Sequence, residues 1–228
     1  MRANDAIALL QKLVATPSLS GNESGTADIL AAELAQRGVD VRRHHNNIWA
    51  LSKGFDAKKP TLMLNSHQDT VKPSQAYTRN PFEPTIEDGK LYGLGSNDTG
   101  GSLVAMMAVF SQLAKTQQPY NLIMLASAEE EVTGVNGVRA VLPELGKIDF
   151  AIVGEPTSLQ PAVAEKGLMV LDCTAYGVAR VDVYATTSNI IVSVESATGA
   201  LLTHTRRIKQ TGTDIERLHA KSYIFVRN

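Results

Sequence analysis

Residues 61–70 read TLMLNSHQDT. The first six form a compact apolar run that turns polar at its end, the pattern of a strand buried in a parallel sheet. Asn121–Ala126 (NLIMLA) repeats that pattern, and Asp149–Val153 supplies a third strand. Helical spacing fills the intervals. The spacing predicts helices over Asn4–Val14, with Asn4 as N-cap and Ile7, Leu10 and Val14 on one face, and over Ser24–Arg37, closed by Gly38. It predicts two more over Gly100–Leu113 and Val135–Leu145. Short strands at Val39–His45 and Ile48–Ser52 flank a turn-like pair, Asn46–Asn47. Strands alternating with helices predict an α/β fold, a largely parallel sheet flanked by helices.

The chain has 228 residues, 43% of them apolar, enough for one sizeable core and short for two independent domains. A net charge of −1 points to neither a nucleic-acid nor a membrane-surface partner. No apolar run reaches the ~18–20 residues that span a bilayer. Met1–Ala15 carries Arg2, Asp5 and Lys12 among its apolar residues, which is unlike a secretory leader. A single cysteine, Cys173, allows no internal disulfide, and a reducing cytoplasm is the simplest expectation. All nine prolines lie at or before Pro161. Residues 181–228 hold six basic and four acidic residues and two glycines, so the composition changes near residue 180. Two regions are expected: 1–180, an α/β domain, and 181–228, a divergent tail.

Four polar clusters follow the expected strands or precede a helix. They are Ser66-His67-Gln68-Asp69-Thr70, Gly95-Ser96-Asn97-Asp98-Thr99-Gly100-Gly101, Ser127-Ala128-Glu129-Glu130-Glu131 and Val153-Gly154-Glu155-Pro156-Thr157. In open α/β sheets, ligands bind at the carboxyl ends of the strands. Imidazole and carboxylates suit zinc. Three adjacent acids repel one another unless a dication neutralises them or they face water. In a His-x-Asp pair the acid can accept the second ring N–H and so select the metal-binding tautomer. Taken singly, each cluster has a plainer reading as a surface pair, a turn, a solvated helix start or a loop. Their joint occurrence at strand ends favours a metal site.

The segments LNSHQDTV, YGLGSNDTGG, ASAEEEVTG and VGEPTSLQP closely resemble the signature segments of the M20 metallopeptidase family, above all its acetylornithine deacetylases and succinyl-diaminopimelate desuccinylases. The resemblance covers roughly residues 1–180. It implies two zinc (or cobalt) ions. His67, Asp98 and Glu155 would hold one, Asp98 bridging to a second held by Glu131. Asp69 would orient His67, and Glu130 would be the general base, with Glu129 as the flanking acid. It implies hydrolysis of the amide of an N-acylated amino acid: the metals polarise the carbonyl and activate water, and the base carries a proton to the leaving amine. VGEPTSLQP and HQDTVKPS look most like the branch acting on acetyl- or succinyl-ornithine, in arginine biosynthesis. An M20 dipeptidase or carboxypeptidase, a succinyl-diaminopimelate desuccinylase and a non-catalytic metal-binding remnant are the alternatives.

The likeness then stops. After Glu165-Lys166-Gly167 the family continues with a strand and a Gly-His motif opening a lid domain, through which relatives form homodimers. Here Tyr176-Gly177-Val178-Ala179-Arg180-Val181 lacks the histidine. The expectation is an incomplete fold, without the lid and with an incomplete second metal site. His204 is a weak match for the late histidine ligand of relatives. His44, His45 and His219 read as surface residues and Trp49 as packing.

Overall fold

The computed structural model describes residues 1–163 with their side chains. It also describes the backbone of Leu168–Thr174, Arg180–Ala185, Asn189–Glu195, Leu201–Arg207 and Lys221–Arg227. Two compact units divide the chain, Met1–Leu159 and Gln160–Asn228.

The first unit is a three-layer α/β arrangement, as expected. Its sheet contains β1 (Asp40–His44), β2 (Asn47–Leu51), β3 (Thr61–His67), β6 (Asn121–Ser127) and β7 (Phe150–Val153) in the order β1-β2-β6-β3-β7. The pairs β3–β6 and β3–β7 are parallel, whereas β1–β2 and β2–β6 are antiparallel, so the sheet is mixed around a parallel centre. Every residue of β6 is buried, which is why NLIMLA is apolar without alternation. On one face, Leu122 and Met124 join Ile48, Ala50 and Leu64. These pack against α1 (Ala3–Val14), α2 (Ser24–Ala35) and α3 (Gly101–Leu113) through Leu10, Leu30, Met107 and Phe110. On the other, Ile123 and Leu125 join Trp49 and Met63 under α4 (Val138–Leu145). Trp49 is thus packing, 1% exposed. A small hairpin of β4 (Thr85–Glu87) and β5 (Lys90–Tyr92) precedes α3.

Several expected boundaries move for local reasons. The first helix begins at Ala3, not Asn4, because Asp5 Oδ2 accepts from Arg2 N at 3.0 Å. The hairpin turn is His45–Asn46, not Asn46–Asn47: Asn47 is already paired with His44 across the ladder. Its side chain is buried, donating to Asn136 O at 2.6 Å and accepting from Ala128 N at 3.0 Å. The fourth helix starts at Val138 rather than Val135, since Glu129 Oε2 takes Asn136 N at 3.0 Å. Gly38, at φ 72°, closes the turn after α2.

The two edges of the sheet differ. β1 carries Asp40, Arg42, Arg43 and His44, charges that discourage further strands. β7 is Phe-Ala-Ile-Val and exposed throughout, Phe150 at 73%.

In the second unit, β8 (Leu168–Thr174) pairs in parallel with β12 (Lys221–Arg227). Strands β9 (Arg180–Ala185), β10 (Asn189–Glu195) and β11 (Leu201–Arg207) form an antiparallel meander. The compositional change at residue 181 falls within β9. Residues 165–167, 176–179 and His219 lie outside the described residues, as do the side chains of Cys173 and His204. Among the described residues no helix is long and apolar enough to cross a membrane.

Candidate metal centre

Parallel pairing brings the ends of three strands together. His67, the last residue of β3, lies opposite Ser127 at the end of β6, and Asn65 lies opposite Val153 at the end of β7. The loops bearing Asp69, Glu129–Glu131 and Glu155 therefore leave the sheet side by side, at the edge where α/β sheets bind ligands. Asp98 reaches the same place from the wide turn Ser96–Gly100 that leads into α3. That turn depends on glycine. Gly95 has φ 74°, and a Cβ there would lie 2.6 Å from Thr70 Cγ2. A Cβ on Gly100 would lie 2.6 Å from Gly95 O. Thr99, buried, donates from Oγ1 to His67 O at 2.9 Å, and Ser66 Oγ donates to Gly154 O at 3.0 Å, with the two hydroxyl oxygens 2.7 Å apart. These contacts lock the Asp98 turn and the Glu155 loop onto β3.

His67 is 2% exposed. Its Nδ1 lies 2.9 Å from the backbone oxygen of Asp69 and 3.4 Å from Asp69 Oδ1. A proton on Nδ1 serves both acceptors, which leaves Nε2 facing the acids when the ring is neutral. Nε2 is 3.1 Å from Asp98 Oδ1, 3.9 Å from Glu130 Oε2 and 3.9 Å from Glu155 Oε1. One ligand atom each from His67, Asp98 and Glu131 lies within 4.8 Å of the other two, a group that could hold a metal ion.

Asp69 does more than face the imidazole. It is fully buried, and its oxygens accept from Glu130 N and Glu131 N at 3.1 Å each and from Ser20 Oγ at 2.7 Å. Burial raises its pKa, but the bonds from His67, Ser20 and the Glu130 amide outweigh that and hold it low. Of the acidic triplet, Glu129 is bound elsewhere: its carboxylate accepts from Asn136 N and Nδ2, both at 3.0 Å. Glu130 and Glu131 are the members beside His67.

The electrostatics are those of a site short of positive charge. Burial, then the charges of Glu130, Asp98 and Glu131, push Glu155 up to about 7 against the pull of His67. Burial and Asp98 likewise raise Glu131. Burial lowers His67, yet its hydrogen bond to Asp69 and the surrounding acids carry it up to about 9. One imidazole among five carboxylates leaves like charges crowded and partly desolvated, and a dication relieves that crowding. The donor set, one nitrogen and several carboxylate oxygens, fits such an ion.

Residues 63–227 match the family profile described as peptidase family M20/M25/M40. The chain belongs to that family. Among curated M20 relatives, the succinyl-diaminopimelate desuccinylase of Verminephrobacter eiseniae is 34% identical over 177 residues. The alignment covers 67% of this chain, and the chain spans 44% of that relative's length. An M20 metallo-carboxypeptidase from Sulfolobus solfataricus superposes with a TM-score of 0.55 at 27% identity, over 68% of this chain and 37% of that one. A dinuclear metal-binding M20 peptidase from Bacillus subtilis shares the fold at a TM-score of 0.52 and 19% identity, over 66% and 42% of the two chains.

The sequence reading missed Ser20, whose hydroxyl donates to the Asp69 carboxylate, and Thr99 and Glu23, which bond to the distant backbone of His67 and Glu129. Ser20 and Glu23 sit in SLSGNESG, which carries no metal-ligand spacing. The proximity of Asp98 and Glu155 to His67 follows from their places in glycine-containing motifs beside a helix start and a strand end.

Proposed function

We propose that this chain carries the metal-binding, base-bearing part of a metal-dependent amidohydrolase that removes the acyl group from an N-acylated amino acid. The observation that carries the reading is the convergence of His67, Asp98 and Glu131 within 4.8 Å. His67, Asp98 and Glu155 would hold one Zn2+ or Co2+ ion, and Asp98 and Glu131 would contribute to a second. Bound there, the cations would supply Lewis acidity at the acyl oxygen and make water acidic enough to attack at neutral pH. Glu130 takes a proton from the attacking water and returns it to the amine nitrogen as the C–N bond breaks, leaving a carboxylic acid and a free amine. Asp69 keeps the His67 proton on Nδ1 and holds the backbone from which Glu130 and Glu131 project.

The substrate reading shifts with the named relative. Motif likeness favoured acetyl-ornithine and arginine biosynthesis. A relative named for removing succinyl from diaminopimelate favours an N-succinyl amino acid and, with it, the lysine branch. The test is a Zn2+ and Co2+ titration of the full chain, followed by assays on N-succinyl-diaminopimelate, N-acetylornithine and a dipeptide. Metal uptake with preferred cleavage of the succinyl compound is expected. Preference for either other substrate overturns the substrate assignment; tight metal binding with no turnover of any favours the metal-binding remnant. Absence of metal uptake overturns the centre itself.

A further inference from the structure

Three successive backbone amides at the head of the acidic loop are each held by a carboxylate. Glu130 N and Glu131 N donate to Asp69, and Glu129 N donates to Glu23 Oε1 at 3.1 Å, across 106 residues of chain. Glu23 is fully buried. Its Oε1 also accepts from Gly21 N at 2.7 Å, and its Oε2 accepts from Asn46 Nδ2 at 2.8 Å. A buried carboxylate is costly unless donors fill its lone pairs, and three neutral donors do so here. It stands at the N-cap position of α2, where the helix end favours negative charge. Asn46 in turn accepts at its backbone oxygen from Gln68 Nε2 at 2.6 Å, between His67 and Asp69 in the chain. Glu23 therefore links α2, the β1–β2 turn, the end of β3 and the acidic loop, and none of these bonds touches the reacting groups.

We propose that Glu23 is a positioning residue for the metal centre. Its carboxylate holds Glu129 in the left-handed conformation, φ 54°, after which Glu130 and Glu131 turn toward His67 and Asp98. The inference rests on the metal-centre reading above. Asp69 alone holds only the amides of Glu130 and Glu131 and leaves that of Glu129 to Glu23. With Glu23 the loop is clamped at 129, 130 and 131.

The test uses the full chain with Co2+ as probe. In Glu23→Gln, the amide oxygen can keep Gly21 N and Glu129 N, but its NH2 faces the NH2 of Asn46. Co2+ affinity is expected to fall about tenfold to a hundredfold, as when a partner behind a ligand is lost. In the metal-free protein, the amides of Glu129–Glu131 exchange faster while those of β6 do not. The swap Glu23→Gln with Asn46→Asp restores a carboxylate–amide pair with its direction reversed, and is expected to recover most of the affinity. Leu34→Ala, a fully buried change in the same helix, measures general destabilisation. Unchanged affinity and exchange in Glu23→Gln overturn the proposal, as does an equal loss of affinity in Leu34→Ala. A wild-type chain that takes up no Co2+ overturns the metal reading alone. The exchange comparison then decides the role of Glu23: lost protection at 129–131 supports it, and retained protection overturns it.

Discussion

At the scale of single residues, the metal-free site holds protons that a cation must displace. With the proposed ligands, binding would require neutral His67, whose pKa is pushed up to about 9, and ionised Glu155, pushed up to about 7. Metal affinity is therefore expected to rise as pH climbs from about 6 to about 9. Calorimetry in buffers of different ionisation enthalpy should detect proton release on Zn2+ binding. Stability of the metal-free chain runs the other way. Both groups have folded pKa values above their ordinary 6.5 and 4.5, so the folded state binds more protons. The stabilisation from Glu155 is full below about 4.5 and lost as pH rises through about 7, and that from His67 is full below about 6.5 and lost through about 9. Melting temperatures without metal should fall across that window, and saturating Zn2+ should remove the decline. A flat profile without metal would reject the charge picture. Removing the imidazole is the sharper cut. His67→Ala should weaken Zn2+ binding by more than the about tenfold to hundredfold typical of losing a supporting partner, read by chelator competition.

At the scale of elements, the glycines of the Asp98 turn and the packing of α3 make separate predictions. Gly95→Ala forces a side chain into φ 74° and against Thr70, and should cost more than about 1 kcal/mol, measured by urea unfolding. Phe110→Ala empties a fully buried site on α3 and should cost about 3–5 kcal/mol. Val109→Ala, beside it but 49% exposed, should stay within about 0.5 kcal/mol. Elements were legible where burial is written as composition: residues 122–126 of β6 are all apolar because both faces of the strand are covered. They were misread where a side chain acts at a distance. Asn46–Asn47 has the chemistry of a turn, yet the Asn47 amide is claimed by Ala128 and Asn136. The same logic hid Glu23, whose bond to Glu129 no local pattern announces, while the nearness of His67, Asp98 and Glu155 could be expected from their places after or beside apolar runs.

At the scale of the whole molecule, the sheet is guarded on one side only. The β1 edge is charged, whereas β7 leaves Phe150, Ile152 and Val153 exposed at 73%, 52% and 55%. This strand is the apolar, uncovered edge of the sheet. Phe150→Lys should lower concentration-dependent light scattering of the chain and leave its melting temperature nearly unchanged. Scattering as strong as that of the wild type would locate the sticky surface elsewhere.

The parallel pairing of β3 with β6 has a kinetic side. Thr61 meets Asn121 across 60 residues, and Asp69 meets the Glu131 amide across 62. Such long closures are slow to form, because the chain entropy lost precedes the contacts that compensate for it. A partly ordered chain thus presents its ligands only in isolation. A cation at the proposed centre would then be a latch that closes last, so cobalt colour in a refolding trace should lag behind the fluorescence change of Trp49.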